Sequence, residues 1–168
     1  MNGAITGRAF VYGANIDTDQ IYPGRYLDLT DPDLVSRHAL AGVDPDFVRE
    51  VKAGDMIVAG ANFGCGSSRE HAVVTLKASG IGAVLAESFA RIFYRNAINL
   101  GLPLLVCPGI AKGVQRGDLL CVDMAAGKAV NGTTGVTLLV EPLSAYVLAI
   151  LESGGIKPMI RREQRGGE

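Results

Sequence analysis

The sequence predicts an α/β fold with a partly parallel sheet flanked by helices and a small C-terminal β portion. Between residues 56 and 107, short apolar runs alternate with amphipathic segments in the order β-α-β-α-β, which is typical of parallel strands joined by helical crossovers. The apolar runs are continuous, as in strands that are buried on both faces of a sheet. After residue 110, glycine-rich turns separate short strand-like segments.

The first half of the chain predicts a strand, a long turn-rich loop and two short helices. A strand is expected over 5–12, and the loop that follows is longer than a compact domain needs, so we expect it to carry function. Two Asp-Pro pairs each join an N-cap residue to a first-turn proline, and they predict helices over about 31–42 and 44–54.

The elements of the parallel region and of the C-terminal part are predicted from apolar runs, from capping residues and from glycines that end helices. Ser88 is expected to cap the second helix of the parallel region, whose apolar side comprises Phe89, Ile92, Phe93, Ala97 and Leu100. The predicted elements are strands over 56–61, 81–86 and 103–107, helices over 69–79 and 88–100, strands over 118–123 and 135–140, and a helix from Ser144 to Leu151. The chain is expected to form a single domain over 1–168, with 156–168 as a polar, partly frayed tail.

Composition argues against several classes of function. The net charge of −1 and the absence of a basic block give no electrostatic footprint for nucleic acid or a membrane surface. No signal peptide is recognisable, and no apolar stretch approaches the roughly 20 residues of a spanning helix. The three cysteines are an odd number without CxxC spacing, which indicates a cytoplasmic protein with no disulfide framework or metal site of its own.

The segment GANFGCGSSREHA, residues 60–72, is the strongest candidate for a site. It follows a predicted buried strand and opens a helix, the position at which open α/β sheets bind ligands. Ser67 and Glu70 fit a capping box, and the free N–H groups of a helix start favour an anion. The planar guanidinium of Arg69 suits a carboxylate.

Other interpretations of this segment remain open on the residues alone. Ser67 is an ordinary helix cap in one interpretation, with the glycines serving only the turn. The segment lacks the Gly-Lys-Ser/Thr of a phosphate loop and the third glycine of a dinucleotide fingerprint. Cys65 at a helix start could act as a nucleophile, with only His38 and His71 available as partners.

Three motifs together resemble the small subunit of 3-isopropylmalate dehydratase, the swivelling domain of the aconitase superfamily as a separate chain. The motifs are IDTDQI, NFGCGSSREHA and ESFARIFYRNAINLGLPLL, and they follow one another in the family's order. The resemblance extends from the first strand to about residue 155. It implies a β/β/α swivelling domain and a hydro-lyase that is active only with its large subunit, as a heterodimer or heterotetramer.

The resemblance also implies roles for particular residues. Ser67 would be the base that removes the carbon-bound proton, and Ser68 and Arg69 would hold a substrate carboxylate. Thr18 and Asp19 match a position at the edge of the active site, where Asp19 would orient a catalytic arginine or histidine; an Asx turn is the alternative for this Asp-Thr-Asp run. The family's [4Fe-4S] cluster belongs to the large subunit, where it acts as a Lewis acid, and this chain is expected to bind no metal.

Substrate choice is expected to lie in the loop Tyr26-Leu27-Asp28-Leu29. In related chains an arginine at the third place favours an additional carboxylate. Here Asp28 would repel one, and the two leucines offer apolar contact to an isopropyl group. Arg25 either binds a carboxylate or anchors the loop.

Two further questions stay open at the level of the sequence. On the helix after Ser88, the polar residues Arg91, Arg95, Asn96 and Asn99 either face the site and the large subunit or form a solvated surface.

The function favoured is isomerisation of 2- and 3-isopropylmalate in leucine biosynthesis. The alternatives are a homoaconitase subunit, a methylmalate/citraconate or dimethylmalate hydro-lyase, and a stand-alone anion-binding module.

Overall fold

A computed structural model describes residues 4–166, and these form one mixed seven-stranded sheet with helices against it. The strands are β1 (Ala4–Val11), β2 (Met56–Ala59), β3 (Ala83–Ala86), β4 (Leu104–Val106), β5 (Leu119–Asp123), β6 (Lys128–Asn131) and β7 (Thr137–Leu139). The helices are α1 (Thr18–Ile21), α2 (Pro32–Ser36), α3 (Phe47–Glu50), α4 (Glu70–Ala78), α5 (Arg91–Asn99), α6 (Ile110–Gly113), α7 (Ala145–Glu152) and α8 (Ile156–Gly166). The predicted fold class is confirmed.

The sheet has the strand order β4-β3-β2-β1-β5-β6-β7, with β1 at the junction of two halves. β1 through β4 are parallel neighbours, whereas β5, β6 and β7 form an antiparallel meander that begins beside β1. The continuous apolar runs of β2 and β3 are fully buried because each strand has cover on both faces. The predicted β-α-β-α-β order is therefore confirmed.

Side chains of alternate strand positions divide the core into two clusters. On β2, Ile57 and Ala59 join the cluster that contains Phe47, whereas Met56 and Val58 join the cluster on the opposite side, which contains Leu120. This division follows from the two-residue period of a strand. The parallel strands therefore lie between the two clusters, and their carboxyl ends carry the loops described below.

Several predicted boundaries are wrong. The helix expected over 31–42 stops at Ser36, since the chain turns and the buried Leu40 adopts a left-handed φ of 56° while its N–H donates to the Ile21 carbonyl. The helix expected over 44–54 is only Phe47–Glu50. The turn-rich loop after β1 contains α1 and a 3₁₀ turn at Gly24–Tyr26.

The C-terminal part also differs from expectation. The sequence did not predict β6, which pairs with both β5 and β7. Ser144 caps α7 as predicted, with its hydroxyl accepting from Val147 N–H. The tail expected beyond residue 155 is the amphipathic helix α8, which buries Met159, and its last two positions, 167–168, lie outside the described residues.

Candidate active site at the carboxyl ends of β1 and β2

Two chain segments that leave the sheet side by side build the candidate site. The segment after β1, residues 13–18, runs along the segment after β2, residues 60–67, as a continuation of their parallel pairing. Backbone hydrogen bonds join them: Gly60 to Gly13, Asn15 to Ala61, Gly64 to Ile16 and Thr18 to Cys65. About 50 residues separate the DTDQI and GCGSSR motifs in the chain. They nevertheless meet in space, because each follows one of two neighbouring strands.

The buried hydroxyl of Thr18 also links the two segments, next to the predicted base Ser67. The Thr18 hydroxyl donates to the Ser67 carbonyl at 2.8 Å, and Thr18 is 2% exposed. Asp17 caps α1 in a reciprocal capping box with Gln20. The Asp-x-x-Gln spacing signals this cap in the sequence. The cap was missed because the run was interpreted only as an Asx turn or an active-site element.

Ser67 does not cap α4, and the predicted Ser67–Glu70 capping box is absent. The N-cap of α4 is Arg69, in an extended conformation and without a side-chain cap bond. Ser67 lies two residues earlier and is exposed. Its hydroxyl makes no hydrogen bond to any of residues 4–166, and neither do the N–H groups of Ser67 and Ser68. Because capping does not engage this hydroxyl, it is available to a ligand.

A cleft of about 200 Å³ opens beside these serines. On one side it is lined by the 64–69 turn and Thr18, and on the other by the start of α5. The lining residues are Thr18, Gly64, Gly66, Ser67, Ser68, Arg69, Ala90, Arg91, Ile92, Phe93 and Asn96. Larger surface depressions exist elsewhere, one of them along β7, but this cleft brings together two serines and two arginines, which suit an anionic ligand.

Arg69 and Asp19 form an ion pair at the edge of the cleft. Arg69 Nη1 donates to Asp19 Oδ1 at 2.8 Å and to the Tyr22 carbonyl at 3.2 Å. The hydrogen bond from Arg69, reinforced by one from Gly24 N–H, holds the pKa of the Asp19 carboxyl below its ordinary value. The Nε and Nη2 groups of Arg69 donate to no acceptor in residues 4–166, so the guanidinium keeps free donors for an incoming carboxylate.

The 26–29 loop does not line the cleft, although Gly24, just before the loop, donates its N–H to Asp19 of the ion pair. Tyr26 stacks on His38 with ring centroids 3.6 Å apart, and the Arg25 guanidinium lies 4.7 Å from the centre of the Tyr26 ring. Burial, together with the nearby Arg25 and Arg37, lowers the pKa of His38. Leu27 and Asp28 are exposed at the tip of the loop, and Leu29 packs on the core.

Helix α5 supplies the opposite wall of the cleft. Arg91 and Asn96 line the cleft, whereas Arg95 and Asn99 are exposed outside it. Ile92, predicted to be on the apolar side, is 60% exposed and lines the cleft as well. Phe93, on the same predicted side, is buried as expected.

Ser88 does not cap α5, contrary to prediction. Its hydroxyl accepts from Asn62 N–H at 2.8 Å, so a tertiary contact occupies the group that was expected to start the helix. The N-cap is Ala90, without a side-chain cap bond. This contact ties the strand-end loops of β2 and β3 together beside the cleft.

The three cysteines lie in separate parts of the fold. Cys65 is half-buried in the site turn, Cys107 is buried after β4, and Cys121 is exposed on β5. Burial, assisted by Glu87, raises the pKa of Cys107 to about 11. Within residues 4–166 no group of three or more His, Cys, Asp or Glu side chains is arranged to hold a metal ion. None of the helices in this part of the chain has the length and apolar character required to span a bilayer.

Comparisons with known proteins agree on one family. Residues 36–108 match the aconitase C-terminal domain. The chain is 53% identical to 3-isopropylmalate dehydratase small subunit 1 of Methanopyrus kandleri over 163 residues, covering 97% of this chain and 96% of that one. It is 51% identical to the isopropylmalate/citramalate isomerase small subunit of Methanocaldococcus jannaschii, covering 97% of each. The solved structure of a 3-isopropylmalate dehydratase chain from the same organism superposes with a TM-score of 0.91 at 43% identity, covering 96% of this chain and 95% of that one.

Proposed function

The chain belongs to the family of 3-isopropylmalate dehydratase small subunits, which are subunits of a hydro-lyase, and on that premise we propose that it presents Ser67 as the base for isomerising 2- and 3-isopropylmalate. The observation that carries this proposal is the exposed, uncommitted Ser67 hydroxyl in a cleft that it shares with Arg69 and Arg91. The partner is a large subunit that completes the site, and the complex acts in the cytoplasm in leucine biosynthesis.

The reaction needs a proton removed from one carbon and a hydroxyl lost from its neighbour, which gives an unsaturated acid and water. Re-addition of water with the opposite orientation gives the isomer. The proton is added to the carbon that lost the hydroxyl, and the hydroxyl is added to the carbon that lost the proton. Ser67 serves as a base only if its alkoxide is stabilised. The free N–H groups around residues 67 and 68, the start of α4 and the arginine pair supply positive potential at that point.

Substrate carboxylates are held by the groups around Ser67. Ser68 presents an exposed hydroxyl in the same cleft, and Arg69 offers the Nε and Nη2 donors that Asp19 leaves free. Asp19 therefore acts on Arg69, fixing the guanidinium so that it presents those donors. Thr18 acts through the backbone, since its hydroxyl is engaged by the Ser67 carbonyl.

The cysteines of this chain do not fit a [4Fe-4S] cluster. Three intervening strands of the sheet separate β4, which precedes Cys107, from β5, which carries Cys121. We therefore place the cluster on the large subunit and assign to this chain only proton transfer and carboxylate binding.

A second substrate has support from a specific relative. The Methanocaldococcus jannaschii protein is named for citramalate as well as isopropylmalate, and citramalate carries a methyl in place of the isopropyl group. Both acids have two carboxylates, so neither meets the repulsion that Asp28 would give to a third. The naming of the relatives as small subunits supports an enzyme subunit over a stand-alone anion-binding module.

The decisive experiment reconstitutes this chain with a cluster-bearing large subunit and follows the unsaturated acid by its ultraviolet absorbance. Ser67→Ala should lower kcat by about 100-fold or more, the usual range for loss of a general base, while the complex remains folded. Ser36→Ala, which removes a half-buried hydroxyl that donates to the Asp33 carbonyl on α2, is the control and should leave kcat unchanged. If Ser67→Ala retains kcat within a few-fold, the assigned base is wrong.

A further inference from the structure

Both ends of the 26–29 loop are tied by their backbone carbonyls to one stacked pair of rings. The Tyr22 hydroxyl donates to the Tyr26 carbonyl at 2.6 Å. The Leu29 carbonyl lies 2.9 Å from His71 Nε2, which must carry the proton because a carbonyl oxygen only accepts. The rings of Tyr22 and His71 are stacked, with centroids 5.3 Å apart. The two anchors thus support each other.

The stacked pair is itself held firmly. Tyr22 is fully buried, and burial raises the pKa of its hydroxyl, which therefore stays protonated as a donor. His71 lies in the first turn of α4, two residues after Arg69, which binds Asp19 and the Tyr22 carbonyl. One helix turn therefore holds the loop and the ion pair at the cleft in a fixed relation.

We infer that His71 is a positioning residue for the 26–29 loop, fixing the conformation in which Leu27 meets the substrate's apolar side group once the large subunit completes the site. His71 touches neither the cleft nor its serines, so it acts through Leu29 and Tyr22. This inference rests on the proposed function, since it names a determinant of substrate choice at the same site. The chain has two histidines, and both pack on rings in or next to this loop.

The test compares His71→Leu, which removes the donor, with His71→Gln, whose amide nitrogen can reach the same carbonyl. In the reconstituted complex, His71→Leu should raise KM for isopropylmalate by about fivefold to tenfold, the effect of losing one neutral hydrogen bond. KM for citramalate should change less, because a methyl group makes less contact with the loop, and kcat should stay within about threefold for both acids. His71→Gln should restore the preference for isopropylmalate.

Val73→Ala, on the buried face of the same helix, is the control for a loss of packing without loss of a loop anchor. It should lower thermal stability and leave the ratio of the two KM values unchanged. If His71→Leu lowers stability without changing that ratio, or if Val73→Ala changes it equally, His71 is only structural and the inference fails.

A second measurement separates this inference from the proposed function. Amide hydrogen exchange on the free chain should be faster over residues 24–29 in His71→Leu than in wild type or His71→Gln, because Leu29 N–H is bonded within the loop. This readout needs no substrate and no partner. Unchanged exchange would overturn the anchoring role even if turnover proved Ser67 to be the base, and loss of turnover in Ser67→Ala would leave the exchange result unaffected.

Discussion

The turn that presents Ser67 depends on one glycine, and replacing it should destabilise the chain measurably. Gly64 has a φ of +85°, which an L-amino acid rarely adopts. A Cβ at this position would lie 2.2 Å from Cγ and 2.4 Å from Cδ1 of Phe93, and Phe93 is 3% exposed. Gly64→Ala therefore introduces both backbone strain and a steric clash with a ring that has little room to move.

The two effects can be given magnitudes. A left-handed conformation costs an L-residue about 1–2 kcal/mol. Forcing extra volume into a packed core costs about 1–3 kcal/mol. Gly64→Ala should thus lower the free energy of unfolding by about 2–5 kcal/mol and lower Tm by about 5–20 °C for a chain of this size.

Two other glycines separate the strain from the clash. Gly117 has a φ of +90°, and a Cβ added there would have no neighbour within 4 Å, so Gly117→Ala should cost only the strain, about 1–2 kcal/mol. Gly13 has neither feature, and Gly13→Ala should stay within about 0.5 kcal/mol of wild type. Urea unfolding of the free chain measures all three variants.

The order of the three variants decides the question. If Gly64→Ala is no less stable than Gly117→Ala, the contact with Phe93 is loose and the clash argument is refuted. In the double variant with Phe93→Ala, the two losses should add incompletely, because alanine lacks the Cγ and Cδ1 atoms that the new Cβ would meet.

Three further predictions concern charged and sulfur groups. The difference in unfolding free energy between wild type and Asp19→Asn should be constant from about pH 8 to 5 and should shrink as the pH falls below about 4. The Arg69 hydrogen bond lowers the pKa of Asp19 in the folded chain. The stability that the ionised Asp19 contributes is therefore lost only when the pH falls below its pKa in the unfolded chain. A persistent difference at about pH 2 in urea unfolding would contradict this. Cys107 should resist iodoacetamide at about pH 8 until the chain unfolds, while the exposed Cys121 reacts in the native state, as mass spectrometry would show. Asp28→Arg should raise kcat/KM for a tricarboxylate such as homocitrate relative to isopropylmalate, and an unchanged ratio would remove the electrostatic argument for a dicarboxylate.

The parallel half of the fold could be predicted because its signals are local. Buried strands read as continuous apolar runs, and Gly80 and Gly101 end the helices between them. β6 was missed because its four residues, KAVN, carry polar ends and become a strand only between β5 and β7. Strand pairing of this kind is decided by neighbours rather than by the segment itself.

The caps expected at Ser67 and Ser88 were wrong, whereas Ser144 caps its helix as predicted. Ser88 binds Asn62 N–H instead of starting α5, and Ser67 lies two residues before Arg69, the N-cap of α4. The motifs lie on the segments that meet at the candidate site. They could not show that Arg91 and Asn96 face it, since that depends on how α5 packs on the sheet.

The central place of β1 constrains how the chain can fold during synthesis. β1 pairs with β2 on one side and with β5 on the other, and β5 ends at Asp123. At about 5–20 residues per second, the ribosome needs roughly 6–22 seconds after completing β1 to make the last residue of β5. Throughout that interval the middle strand has an unpaired edge open to other chains, so chaperone dependence during expression should track the delay before β5 emerges rather than the stability of the finished fold.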